Sequence, residues 1–338
     1  MENATETASS LADLGSPLLS TGSKLALTGA TGFIGMRLVS HLTAAGWQVR
    51  ALYRPRKGRI PPRLPGVEWF AGSLEDDEAL NALVTGTDAV IHCAGAVRGA
   101  SRVDFDKVNE AGALRVALAA ARQPHMPRFL LISSLAAREP KLSHYAASKW
   151  RGECAVKTVS DNLRWTVLRP PAVFGPGDRE LLPLFQSMAK GFAPLPAGAK
   201  GRFSMIYVDD LAAAVVHWLA ADAGYGQILE LDDGRVNGYD WDTVLDIGGR
   251  VLREGGTVRR VPIPVTLLKI AAFTNLAAAQ MLGYAPMLTP GKIREITHPD
   301  WLCDNHEITQ VTGWQPAFDL ERGLASIFGK NLAELQEL

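Results

Sequence analysis

The chain has 338 residues, enough for about two domains of ~150 residues, and 47% of them are hydrophobic, which supplies a large core and excludes general disorder. Its 35 Lys+Arg balance 35 Asp+Glu, so no global basic field is available to bind nucleic acid. Three scattered cysteines (Cys93, Cys154 and Cys303) exclude a disulfide framework and offer no zinc spacing, and a cytoplasmic, reducing compartment is expected.

Residues 1–23 contain Glu2, Glu6 and Asp13 but no Lys or Arg, so they read as a flexible extension and not as an export or transit signal. Lys24 to Thr28 is a short apolar strand ending in glycine. Phe33 to Ala45 has helical spacing, Gln48 to Tyr53 reads as a second strand and Val67 to Phe70 as a third. A helix around Asp76 to Val84, a strand over Asp88 to His92 and one long helix over Val103 to Arg122 follow. Arg128 to Ser133 is the fifth strand, His144 to Val159 a helix and Trp165 to Leu168 the sixth strand.

This alternation predicts an α/β fold with a Rossmann-type, doubly wound parallel sheet. After Arg169 proline and glycine become dense, and later helices (Asp210 to Ala221, Tyr239 to Arg253, Val265 to Leu282) alternate with short strands. The expected division is a dinucleotide-binding domain over 24–170 and mainly a smaller α/β substrate-binding lobe over 171–338, with the chain free to weave back.

The run Thr28-Gly29-Ala30-Thr31-Gly32-Phe33-Ile34-Gly35 lies between the first strand and first helix. Gly29 would permit a tight turn, Gly32 a close approach to pyrophosphate, and Gly35 close packing of the helix on the sheet. The helix N-terminus then faces the phosphates with free N–H groups. An acid at the end of the second strand would select NAD; here Tyr53-Arg54-Pro55-Arg56-Lys57 has none. Arg54 could pair with a 2′-phosphate, so NADP(H) is the preferred cofactor and NAD(H) the other option.

Tyr145 and Lys149 are four apart on a predicted helix and therefore share a face. An ammonium beside the phenol would lower its pKa and make it a proton donor and acceptor for an alcohol/ketone pair. Ser133 and Ser134 close the preceding strand and could hold the substrate oxygen. His92 and Cys93 end a buried strand without evident partners and read as structural. Asp209 and Asp210 precede an apolar helix and read as its caps.

Together these residues resemble the extended branch of the short-chain dehydrogenase/reductase superfamily. The resemblance rests on TGATGFIG (28–35), DAVIHCAG (88–95), Asn109, LLISS (130–134), YAASK (145–149), RPPAVFGPGD (169–178), YVDDLA (207–212) and TGWQP (312–316). It implies Tyr145 as catalytic acid/base, Lys149 as its partner and ribose contact, Ser134 as the substrate-orienting hydroxyl and Asn109 in a proton relay. It also implies that Gly29, Thr31, Gly32, Phe33 and Ile34 form the pyrophosphate loop. Ser73 and Leu74 would lie near adenine, Ser73 replacing the usual acid. Ala94 and Gly95 would pass beneath the cofactor, and Pro170 and Val173 would flank the nicotinamide.

Three functions compete: a ketone/alcohol oxidoreductase, a nucleotide-sugar epimerase or dehydratase with tightly held NAD, and a non-catalytic nucleotide-binding accessory subunit. Ser134, Tyr145 and Lys149 speak against the last. Ala172 stands where many nucleotide-sugar members have an asparagine, and it cannot hydrogen-bond, although Arg179, Arg202 and Arg294 could supply a diphosphate site. Arg-Pro-Pro resembles members acting on steroids, flavonoids or lipids. A small apolar substrate is therefore expected, handled by a monomer or homodimer.

Residues 270–291 carry no charge but contain Pro286 and Pro290, so a buried or interfacial helix is expected over Val265 to Leu282, not a spanning one. Leu267, Leu268, Phe273, Leu276, Met281, Leu282 and Met287 then pack a core, line a pocket or touch a membrane surface. The last option would hold the protein peripherally at the inner face of a membrane.

Overall fold

The computed structural model describes residues 22–55 and 61–329. Most of the N-terminal extension, together with Arg56 and Lys57, lies outside the described residues.

In chain order the first half contains β1 (Lys24–Thr28), α1 (Phe33–Ala44), β2 (Gln48–Tyr53), β3 (Val67–Ala71), α2 (Asp77–Val84) and β4 (Ala89–His92). It continues with α3 (Arg102–Asn109), α4 (Ala111–Ala121), β5 (Arg128–Ile132), α5 (His144–Lys157) and β6 (Arg164–Arg169). The second half contains β7 (Ala172–Phe174), α6 (Leu182–Ala189), β8 (Phe192–Pro196), β9 (Arg202–Phe203), β10 (Met205–Tyr207), α7 (Val208–Ala221) and β11 (Gln227–Glu230). Then come α8 (Trp241–Arg253), β12 (Arg259–Ile263), α9 (Val265–Leu282), α10 (Pro290–Ile296), β13 (Asp300–Trp301), α11 (His306–Thr312) and α12 (Leu320–Phe328).

Seven parallel strands form the central sheet in the order β11-β6-β5-β4-β1-β2-β3. The chain turns back between β1 and β4, where a doubly wound sheet opens a crevice at the strands' carboxyl ends. Helices cover both faces, so the central strands are apolar throughout, and their alternate side chains serve different cores. Leu25, Leu27, Ile91 and Leu130 pack with Leu38 of α1 and Trp218 of α7. Ala26, Val90, Phe129 and Leu131 pack with Leu83 of α2, Val116 of α4 and Val156 of α5.

After β6 the chain builds a third core around Phe174, Phe185, Tyr207, Tyr239, Val244 and Leu324. It also returns to the sheet: β11 pairs with β6, and α7 lies against α1. Two-stranded parallel pieces, β10–β7, β12–β8 and β13–β9, tie the rest together.

The single helix expected over Val103 to Arg122 is broken at Glu110 into α3 and α4. The hydrogen-bond ladder survives, with Glu110 N–H donating to Asp106 O at 3.0 Å and Leu114 N–H to Glu110 O at 3.0 Å, so the break is a kink. At the kink the backbone of Asn109 lies directly against α5 at Gly152. A Cβ on Gly152 would sit 2.1 Å from the Asn109 carbonyl oxygen.

Of the three options for the apolar residues from Leu267 to Met287, a packed core does not describe α9. Only Ala272 and Ala279 of this helix are buried, whereas Leu267, Phe273, Met281 and Leu282 are exposed.

Gly152→Ala should cost about 1–3 kcal/mol, the usual penalty for overpacking a backbone contact. Urea unfolding is expected to show a lower midpoint with an unchanged slope. A wild-type midpoint would mean that α3 and α5 can separate freely.

Candidate active site

A cavity of about 1370 Å³ opens at the carboxyl ends of the strands and runs beneath the second half of the chain. It exceeds the ~300–1,000 Å³ of a single-ligand pocket, and is large enough for a dinucleotide and a substrate together.

Its phosphate end is the glycine loop. Gly29 has φ +76°, and a Cβ there would lie 2.6 Å from Ala94 N, so the turn needs glycine. A Cβ on Gly35 would fall 2.0 Å from the Gly29 carbonyl oxygen, which is why α1 can start so near β1. The N-cap of α1 is Gly32, with no side chain satisfying the first N–H groups. Gly29, Thr31, Gly32, Phe33 and Ile34 all line the cavity. An uncapped helix N-terminus opening into a cavity fits the pyrophosphate of a dinucleotide.

Further along, Gly95 lines the cavity directly above a buried cation: a Cβ on it would be 3.0 Å from Lys149 Nζ and 3.4 Å from Asn109 Oδ1. Pro170, just after β6, and Val173, in the middle of β7, also line the cavity. Ala94 does not line the cavity, and its N–H donates to Thr28 Oγ1 at 3.3 Å. Arg54 is exposed just past β2, outside the cavity lining. Ser73 Oγ accepts from Glu75 N–H at 3.2 Å. The Leu74 side chain is buried against Gly112, so it belongs to the core and has no face toward the cavity.

Ser134, Tyr145 and Lys149 meet on one wall. Ser134 follows β5 and caps a short 3-10 turn, accepting from Ala136 N–H at 3.2 Å. Its hydroxyl hydrogen-bonds the Tyr145 phenol. Ser143 caps α5, accepting from Ala146 N–H at 2.9 Å, and so sets the helix that carries Tyr145 and Lys149. Phe105 meets the Tyr145 ring edge-on, with centroids 6.1 Å apart. Lys149 Nζ donates to the Ile132 carbonyl at 3.1 Å. One turn on, Glu153 is buried, accepting from Ser133 Oγ at 2.5 Å and from both ends of the Arg169 guanidinium at 2.9 and 2.6 Å.

The electrostatics correct the expectation that Lys149 lowers the phenol's pKa. Burial pushes Tyr145 up to about 12; the Ser134 hydrogen bond opposes this, and the Glu295 charge adds to it. The Lys149 ammonium is turned to the Ile132 carbonyl, and burial lowers its own pKa. Asn109 lies outside the cavity lining, and its amide is engaged by Ala96 and Ser148. Oδ1 accepts from Ala96 N–H at 2.8 Å, while Nδ2 donates to Ala96 O at 3.0 Å and Ser148 Oγ at 2.8 Å. Such a clamp fixes the Gly95–Ala96 backbone and leaves no amide proton for a relay.

His92 is buried with Nδ1 at 2.7 Å from Thr28 Oγ1, and burial depresses its pKa to about 3. Burial raises the Cys93 thiol to about 12, which disfavours its thiolate. Asp209 and Asp210 do not cap α7. Asp209 pairs with Arg37 and His41 of α1, and Asp210 accepts from Ala317 and Phe318 N–H at 3.0 and 2.8 Å.

The cavity is also lined by residues that motif reading did not reach, Phe203, Trp241, Leu288 and Trp301, joined by Leu268, Leu276 and Met287. Arg179 and Arg294 also reach the cavity, but Arg202 does not, and donates instead to Asn237 O at 2.9 Å.

The chain belongs to the NAD dependent epimerase/dehydratase family, whose model matches residues 25–230. Within that family it is an NAD(P)-dependent oxidoreductase of the extended short-chain dehydrogenase/reductase type. It is 38% identical over 279 residues to the ceramide reductase of Caulobacter vibrioides, covering 82% of this chain and 85% of that one. It is 24% identical to the decarboxylating sterol-4-alpha-carboxylate 3-dehydrogenase of Candida albicans, over 88% and 94% of the two chains. The fold matches the human epimerase family protein SDR39U1, solved with NADPH, at a TM-score of 0.69 and 20% identity over 91% of this chain and all of that one.

In the cofactor-free protein, the 295 nm difference spectrum between wild type and Tyr145→Phe should stay flat up to pH 10, because the raised pKa keeps the phenol protonated there. A phenolate step near pH 7 would contradict the burial argument.

Proposed function

We propose that the protein interconverts a ketone and a secondary alcohol on an apolar, lipid-, sterol- or polyketide-like substrate, with NADP(H) as preferred cofactor. The observation carrying this reading is the convergence of Ser134, Tyr145 and Lys149 at the junction between the uncapped N-terminus of α1 and an apolar chamber. The names of the ceramide reductase and sterol dehydrogenase relatives support a lipid substrate. Free thiols at Cys93, Cys154 and Cys303 support a reducing, cytoplasmic setting.

The glycine loop would hold the pyrophosphate of a bound dinucleotide, Arg54 its 2′-phosphate, and Gly95 the passage over Lys149; the nicotinamide of that cofactor would supply or take up the hydride. Ser134 donates a hydrogen bond to the substrate oxygen and positions it against Tyr145. The Tyr145 hydroxyl gives its proton to that oxygen as the alcohol forms, and takes it back in the reverse direction. A phenol with a pKa near 12 is a weak acid, so part of Lys149's task is to approach the phenol once the site is filled and stabilise the phenolate. Asn109 positions the loop over which the cofactor lies. Phe203, Trp241, Leu268, Leu276 and Met287 enclose the substrate's apolar body, each Å² removed from water contributing ~25 cal/mol. The substrate lobe is drawn mainly from residues 171–338, without α7 and β11.

Tyr145→Phe should lower kcat by ~10²–10⁴-fold, the usual worth of general acid catalysis, and leave the NADPH dissociation constant nearly unchanged. NADPH oxidation with a panel of lipophilic ketones measures this, beside epimerase assays on UDP- and GDP-sugars. Epimerisation without ketone reduction would reverse the assignment.

Arg54→Ala should weaken NADPH about tenfold or more while sparing NADH, since a charge-assisted hydrogen bond contributes roughly 1.5–3 kcal/mol. Equal NADH and NADPH titrations with the wild-type protein would remove Arg54 from cofactor selection.

A further inference from the structure

We propose that the outer face of α9 docks on an anionic lipid bilayer, with the helix lying along the surface and the substrate chamber directly behind it. Surface helices of soluble proteins carry a polar face toward water. This one exposes Thr266, Lys269, Thr274 and Gln280 as its polar residues, scattered among larger apolar side chains and carrying a single charge. Its inward face, Leu268, Ala272, Asn275, Leu276 and Ala279, follows helical spacing and rests on the protein, with Leu268 and Leu276 lining the cavity. The opposite face presents Ile270, Phe273, Ala277 and Met281, at i, i+3, i+7 and i+11, to solvent. Phe273 is 69% exposed and Met281 86%, and Leu267 and Leu282 flank them at 56% and 76%.

The helix is long and apolar enough to cross a membrane by length and composition, but it is held along the protein's flank. Asn275 Nδ2 donates to Leu288 O at 2.9 Å, and the Tyr284 hydroxyl donates to Asn275 Oδ1 at 2.6 Å. Ala272 and Ala279 are buried on the same side. An in-plane helix with one apolar face immersed meets these constraints, whereas a spanning helix would have to break them.

Charge identifies the surface it meets. The chain as a whole is neutral, yet residues 255–294 contain Arg259, Arg260, Lys269, Lys292 and Arg294 and no Asp or Glu. Arg260 pairs with Asp242 and Lys292 with Glu295, while Arg259 and Lys269 are exposed. The strand feeding the helix, β12, also exposes Val261, and its partner β8 exposes Phe192. An apolar stripe flanked by cations matches the acyl boundary and anionic headgroups of a bilayer. An α-helix is about 10–12 Å across, so docking brings the chamber to within one helix thickness of the acyl region. A lipid could then move between bilayer and chamber without crossing bulk water.

The test is vesicle flotation, which requires no turnover and is therefore independent of the catalytic assignment. The full chain is mixed with vesicles of phosphatidylcholine containing phosphatidylglycerol, and with vesicles of phosphatidylcholine alone. Flotation should be at least tenfold stronger with the anionic vesicles and should weaken as salt rises. Phe273→Glu/Met281→Glu should abolish it, and Arg259→Glu/Lys269→Glu should reduce it to the level of the neutral vesicles. Thermal midpoints and NADPH binding should match wild type in both variants, since these side chains touch neither the core nor the cavity. Absence of flotation for the wild type, or equal flotation of wild type and the Phe273→Glu/Met281→Glu variant, would overturn the proposal. So would a wild-type dimer in light scattering that the same variant dissociates, because the face would then belong to a second copy of the chain.

Discussion

A single buried ammonium organises the molecule. Lys149 is drawn under the end of β5, and burying such a charge is tolerable only where opposite charge and hydrogen bonds surround it. The protein answers with a chain of alternating charges. Glu153 lies one helical turn from Lys149 and is gripped by Arg169, whose other face turns to Glu230 at 3.8 Å. Glu230 in turn faces Arg138 at 3.6 Å, and Arg138 donates to Leu302 O at 2.7 Å. The series begins beside the proposed acid/base, crosses β6 and the edge strand β11, and ends in the second half of the chain. Removing Arg169 would leave the Glu153 carboxylate buried without its ion pair, which is the expensive kind of loss in a low-dielectric interior.

The second requirement is bare backbone. The β1–α1 turn, the loop after β4 and the α3–α5 crossing all place peptide groups where a methyl would collide, at Gly29, Gly35, Gly95 and Gly152. Each of these glycines lets something polar come near: the Ala94 backbone at the first, the Gly29 carbonyl at the second, the ammonium of Lys149 at the third and the Asn109 carbonyl at the fourth. The site is thus assembled from main chain and one cation more than from side-chain bulk. Specificity for the substrate's body is left to the apolar residues contributed later in the sequence.

The architecture was legible because its strands are buried on both sides. β1 and β2 begin and end where their apolar runs do, and the glycine run marks the only place where the first turn can bend. The Ser134, Tyr145 and Lys149 constellation was legible for the same reason: spacing along one helix and position after one strand fix it locally. What escaped was long-range. Nothing near Asp209 announces Arg37, and nothing near Asp210 announces the N–H groups of Ala317 and Phe318. The kink at Glu110 depends on Gly152 in another helix. The charge of Glu295, which arrives from α10, adds to the rise that burial imposes on the Tyr145 phenol. The seven apolar residues of 267–287 showed no side because α9 has no polar face to orient it; only packing separates Leu268 and Leu276 from Phe273 and Met281.

The place of β11 in the sheet has a consequence for how the protein is made. Its partner β6 ends at Arg169, and the strand that covers it begins only at Gln227. During synthesis the nascent chain therefore carries an open sheet edge while residues 170–226 are still being added. An uncovered strand of that kind, Trp165 to Leu168, is a template for pairing with a neighbouring chain. The sheet also cannot close its register until a non-local segment returns, which slows the final step relative to the formation of the first βαβ units. Protection of the nascent edge, by the ribosome or by a chaperone, is thus a demand set by the order in which the strands appear.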